Sequence, residues 1–127
     1  MALHQSGEDY LEAIYILSGR GKTVRSVDVA ALLGVTKPSV SRAMSILRAE
    51  GYLAGSPEGG LILTELGQTE AQRIYERHEV LTRFLTSLGV SQETAEDDAC
   101  RIEHVISEES FNRLRDHAYA QIEKERN

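Results

Sequence analysis

The sequence predicts a mainly α chain, a winged helix-turn-helix followed by a short helical domain, with the boundary placed between residues 1–64 and 65–127. Three observations predict it. Ala, Leu, Glu and Arg are abundant, Trp is absent and Phe occurs only twice, a composition that favours helix over sheet. Between Ser26 and Gly51 lie two short helical patterns separated by a glycine stop and one further residue. Directly after them, two short apolar runs flank Ser-Pro-Glu-Gly-Gly, the signal of a β-hairpin. At 127 residues and 41% hydrophobic content the chain has room and material for one ordinary domain or two small ones.

The elements follow in order. Residues 7–18 read as a first helix, with Tyr10 or Leu11, Ile14 and Leu17 at helical spacing and Gly19-Arg20-Gly21 as its end. Ser26 is placed to cap a second helix whose Val29, Ala30, Leu32 and Leu33 form a core face, and Gly34 to stop it in a left-handed conformation. Thr36 caps a third helix that tolerates Pro38 in its first turn, buries Val40, Met44 and Leu47, and ends at Gly51. Tyr52–Ala54 and Leu61–Leu63 are the hairpin strands. Thr64 opens a long helix whose inner face runs through Leu66, Ala71, Ile74, His78, Leu81 and Leu85 to Gly89. Ser91 caps a fifth helix over residues 92–106. Ser107 caps a sixth, followed by a polar, frayed tail after Ile122.

Composition removes several classes. Apolar runs such as Val27–Leu33 are too short to cross a bilayer, and nothing resembles a signal peptide, so the expectation is a cytoplasmic protein without a membrane partner. A single cysteine leaves no internal disulfide. The net charge of −6 is unevenly spread. Residues 20–60 carry six Lys/Arg against three Asp/Glu, whereas residues 61–127 carry eight against fourteen. Phosphate contacts need local cations rather than a basic whole chain, so the middle segment remains suited to nucleic acid.

A capped helix, a tight turn, a second capped helix and a hairpin together make duplex DNA the expected partner. The third helix turns Pro38, Ser39, Ser41, Arg42 and Ser45 away from its apolar stripe. Thr36 and Lys37 stand at its N-terminus, where free N–H groups favour phosphate, and Arg25 precedes the second helix. Small hydroxyls permit close approach to the groove, and Arg42 can read a guanine or clamp the backbone.

Cys100, Glu103 and His104 fall at i, i+3 and i+4, on one face of a helix, as Asp9 and Glu12 do at i and i+3. With His78 they offer a thiolate, three carboxylates and two imidazoles, a donor set for divalent transition metals. Taken singly, each has a plainer explanation: a buried cysteine as a small hydrophobe, a hydrogen-bonded histidine, a solvated glutamate. The segments GEDYLEAIYIL, SVDVAALLGVTKPSVSRAMSILRAEGYL, LTELGQ, RHEVLTRFL and CRIEHVIS together resemble the diphtheria-toxin-repressor/manganese-transport-regulator family, over about Ser6 to His117. The resemblance implies a dimeric repressor, not an enzyme, that binds operator DNA when loaded with Fe(II) or Mn(II) and uses its second half for dimerisation and metal binding.

By that resemblance Asp9, Cys100, Glu103 and His104 match one metal site, and Glu12 and His78 a second that shares Glu103. Asp9 and Glu12 look like the manganese branch and Cys100 like the iron branch. Thr82 and Glu96 stand where the iron branch completes an ancillary site with Glu and His, and the iron branch's SH3-like domain is absent. The thiolate tilts the expected ion to Fe(II), with Mn(II) close behind. The resemblance also implies a mechanism: a cation joining Asp9 and Glu12 to the second domain fixes two recognition helices about 34–36 Å apart, one turn of DNA. Other classes remain open: a thiol-redox regulator acting through Cys100, a small metal-dependent hydrolase, or a winged-helix module that binds protein. No glycine-rich phosphate loop, nucleophile elbow or HExxH supports an enzyme or a small-molecule substrate.

Overall fold

The structure, a computed structural model, describes residues 5–21, 23–56 and 59–126. Their contacts divide the chain into two compact units, Met1–Arg73 and Ile74–Asn127. The first unit holds α1 (Gln5–Ser18), α2 (Ser26–Leu33), α3 (Lys37–Ala49), β1 (Leu53–Gly55), β2 (Leu61–Leu63) and the first turns of α4 (Glu65–Ser87). The second holds the rest of α4, α5 (Gln92–Ile102) and α6 (Glu108–Arg126). No described helix is long and apolar enough to cross a membrane.

In the first unit, Leu11, Ile14, Val29, Val40, Met44 and Leu47 bury the inner faces of α1, α2 and α3 against one another. Gly34 has φ 68°, a region only glycine enters cheaply, and its N–H and that of Val35 both return to the Ala30 carbonyl. The turn between α2 and α3 is therefore short and fixed. β1 and β2 pair antiparallel, with Leu53 opposite Leu63, and Leu61 N–H donates to Val24 O at 2.7 Å, tying the wing to the chain before α2. Thr64 donates through Oγ1 to Gly51 O at 2.6 Å and accepts from Gly67 N–H at 3.1 Å, so one hydroxyl joins the end of the α3 segment to the start of α4. Gly67 lies flat against Tyr52, where a Cβ would run into the Tyr52 carbonyl.

Several boundaries differ from the sequence expectation. Arg25, not Ser26, is the N-cap of α2, because the Asp28 carboxylate reaches back to the Arg25 N–H at 2.9 Å and draws Ser26 into the first turn. The first strand is shifted by one residue to Leu53–Gly55, since Tyr52 N–H is used to close α3 onto Leu47 O. Within the turn Ser56 pairs with Gly60, while Pro57 and Glu58 lie outside the described residues. Leu32 and Leu66, expected inside, are 41% and 50% exposed. The backbone of α6 continues through residues expected to fray.

In the second unit, Val80, Phe111 and Ala118 are buried together, with Phe84, Ile106 and Leu114 packed on them. Ser91 caps α5 by accepting from Thr94 N–H, and Ser107 caps α6 by accepting from Ser110 N–H at 3.0 Å. The fifth helix is shorter than its sequence pattern: it closes at Ile102, and Glu103 to Ile106 form a turn. The backbone of Glu103 stays near helical, with φ −58° and ψ −25° and its N–H on Ala99 O, so its side chain keeps the helical direction although the helix has ended.

Candidate metal centre and nucleic-acid interface

Three of the six expected ligands converge within the second unit. His78 leaves α4 half-buried, and its Nδ1 lies 3.1 Å from Glu103 Oε2 and 3.7 Å from Cys100 Sγ. One donor atom from each residue lies within 4.8 Å of the other two. Cys100 is on the last turn of α5 and exposed, and Glu103 caps that helix and is only 2% exposed. Glu103 Oε1 stands 3.4 Å from His104 Nε2, so a fourth expected ligand lies at the other oxygen of the same carboxylate. Glu103 and His104 follow the end of α5 in the turn at residues 103–106, with Glu103 still near helical geometry.

A carboxylate removed from water needs compensating charge and hydrogen bonds. The first compensation is a proton. The Cys100 sulfur, then the Glu103 carboxylate, hold the His78 imidazolium against the opposing effect of burial, and its pKa is pushed from 6.5 up to about 10. The imidazole nitrogen, carboxylate oxygen and sulfur face a common point, the position a divalent cation takes when the same three atoms bind it. The second oxygen, Oε1, is buried without hydrogen-bond geometry to any described residue. A buried, incompletely satisfied carboxylate beside a thiol and two imidazoles fits a transition-metal ion.

Asp9 and Glu12 belong to the first unit, where they are half-buried one turn apart on α1. Arg77 was not legible as part of the centre. It precedes His78, is buried, and donates from Nη1 to the carbonyls of Glu103 and Ile106 at 3.2 and 2.9 Å. An apolar-stripe reading gives such an arginine to solvent, and only its place in the Arg-His-Glu triplet pointed to it.

On α3, Lys37, Pro38, Ser41, Arg42 and Ser45 are exposed, opposite buried Val40, Met44 and Leu47. Thr36 and Ser39 are partly committed elsewhere. Thr36 Oγ1 accepts from Ser39 N–H at 3.3 Å, and their hydroxyls bond each other at 2.8 Å, which leaves one hydroxyl proton of the pair for an outside acceptor. Arg25 is exposed at the α2 N-cap. The helix therefore presents a small-residue polar face with Lys37 and Arg42 as its long cations.

Residues 2–61 match the family described as iron dependent repressor, N-terminal DNA binding domain, and residues 64–118 match iron dependent repressor, metal binding and dimerisation domain. The transcriptional regulator MntR of Escherichia coli is 40% identical over 108 residues, spanning 85% of this chain and 70% of that protein. The uncharacterized HTH-type transcriptional regulator MJ0568 of Methanocaldococcus jannaschii is 35% identical over 115 residues, spanning 89% of this chain and 92% of that protein. Among solved structures, the manganese regulator SloR superposes with a TM-score of 0.77 at 30% identity, covering 90% of this chain and 53% of that one. The chain thus spans about half the length of that structure.

Proposed function

Because the chain belongs to the iron-dependent repressor family, whose members are metal-dependent DNA-binding transcriptional regulators rather than enzymes, we propose that it represses metal-uptake genes as a homodimer that binds operator DNA when loaded with Fe(II) or Mn(II). The observation that carries the metal part is the convergence of His78 Nδ1, Glu103 Oε2 and Cys100 Sγ within 4.8 Å of one another, around a buried carboxylate. A bound divalent cation supplies the positive charge that this cluster otherwise draws from the His78 imidazolium.

Glu103 is the central ligand, with one oxygen toward His78 and the other toward His104. Cys100 supplies the soft donor and favours Fe(II) over Mn(II). Asp9 and Glu12 add two harder carboxylates, on the strength of the family resemblance alone. Arg42 reads or clamps the duplex, with Ser41, Ser45 and Pro38 permitting close approach. Thr36, Lys37, Ser39 and Arg25 contact phosphate. Neutralised ligands favour the DNA-competent members of the conformational ensemble, so affinity rises with the competent fraction.

The test is a titration of the apo protein with Fe(II) under anaerobic conditions, and with Mn(II) and Zn(II), following binding to a labelled pool of random duplexes at fixed salt. The expected result is tighter binding that selects one sequence as metal is added. Metal binding without preference for any duplex overturns the regulator reading. Peroxide sensitivity without a metal response transfers it to Cys100 redox chemistry.

A further inference from the structure

Arg77 is 7% exposed and sits immediately before His78 on α4. Its Nη1 donates to Glu103 O at 3.2 Å and Ile106 O at 2.9 Å, the carbonyls at the two ends of the turn that carries Glu103 and His104. Its guanidinium lies over the Phe111 ring of α6, with Cζ 5.3 Å from the ring centroid. Carbonyls at a helix end lack intrahelical partners, and glycine caps or water ordinarily serve them. A buried arginine is a costly substitute, since an apolar side chain of similar volume usually gives equal or greater stability.

What distinguishes this arginine is where it acts. Glu103 is gripped twice by adjacent residues of one helix: its carboxylate by His78, and its backbone carbonyl by Arg77. Backbone bonds from Glu103 N–H to Ala99 O and from Ile106 N–H to Ile102 O hold one side of the turn at residues 103–106. The Arg77 contacts hold its carbonyl side and oppose rotation of Glu103 away from His78 and Cys100. The planar guanidinium, with donors in fixed directions, restricts that rotation as a flexible ammonium does not.

We infer that Arg77 is a positioning residue of the metal centre, which locks the turn so that Glu103 and His104 present their donors together. The inference rests on the metal-binding function proposed above. Through Phe111 the same side chain links the order of that turn to α6.

Co(II) is the probe, titrated anaerobically into the full chain and into the variants Arg77→Met and Arg77→Lys. Circular-dichroism melts of each apo protein first set a temperature at which it is folded. Arg77→Met lowers Co(II) affinity by about 10- to 100-fold, the usual effect of losing a group that orients ligands. It also alters the ligand-field bands, while the thiolate-to-cobalt band from Cys100 persists. Arg77→Lys, whose nitrogen ends one bond short of Nη1, falls between it and the wild type.

A purely structural role moves the melts and leaves affinity and bands as they were, so wild-type binding in folded Arg77→Met overturns the inference. Should Arg77→Met fail to fold, wild-type binding and bands in Arg77→Lys overturn it instead. A wild-type chain that develops no cobalt bands removes the metal reading itself, and this inference with it.

Discussion

His78 Nδ1 and Glu103 Oε2, 25 residues apart in the chain, stand 3.1 Å apart, with the carboxylate buried. The contact links the middle of α4 to the turn after α5 and places Cys100 Sγ 3.7 Å from the same nitrogen.

The pH dependence has a definite sign. The folded-state pKa of His78, about 10, lies above the ordinary 6.5. Its charge therefore stabilises the metal-free protein fully below the lower value, and that contribution is lost as pH rises through the higher one. A cation must displace this proton and any still carried by the Cys100 sulfur, so binding releases about one to two protons per ion near neutral pH and tightens as pH rises. Calorimetry in buffers of different ionisation enthalpy measures the release, and no release means His78 is not a ligand.

Glu103→Gln removes the charge that both imidazoles face. It returns the His78 pKa toward 6.5, read from ring-proton shifts by NMR, and weakens metal binding. His104→Ala leaves the fold in place and abolishes metal-stimulated DNA binding. An unchanged metal response in either variant takes that residue out of the centre.

Cys100→Ser replaces a soft donor by a hard one. Affinity for Fe(II) and Zn(II) falls further than affinity for Mn(II), so the ratio between them narrows in competitive titration. An unaltered ratio places the sulfur outside the coordination sphere.

Arg42→Ala weakens binding to the selected duplex by about 1–3 kcal/mol if it meets a base edge. If it meets a phosphate, the loss is uniform across sequences and the salt slope drops by about one. Fluorescence anisotropy at several salt concentrations separates the two, with metal affinity unchanged in both. Full operator affinity in the variant means α3 is not the reader.

Gly67→Ala probes the joint between hairpin and α4. The added methyl runs into the Tyr52 carbonyl, backbone that cannot step aside. The cost is on the order of 1–3 kcal/mol, seen as a Tm lowered by roughly 5–15 °C. A wild-type melt refutes the close packing at Tyr52.

What the sequence by itself determined is local or periodic. Gly34 ends α2 because a positive φ needs glycine, Thr36 starts α3 because its oxygen accepts an end N–H, and the stripe Val40, Met44 and Leu47 is buried because its spacing matches a helical turn. The family-like segment around Cys100 pointed to candidate ligands by type. Tertiary structure decided the rest. Periodicity carried α5 to residue 106, yet the chain breaks at Ile102, where Arg77, from 26 residues upstream, takes the carbonyl of Glu103. Ser26 lost its capping role to a carboxylate reaching back from Asp28, and Leu66 stays exposed because no described neighbour covers it. The charge on His78 likewise depends on a sulfur and a carboxylate that only the packing of α4 against the end of α5 brings to its ring. Side-chain spacing within one helix fixes which residues share a face. Which carbonyl a distant guanidinium reaches, and which acids face a histidine ring, is set by how the helices pack.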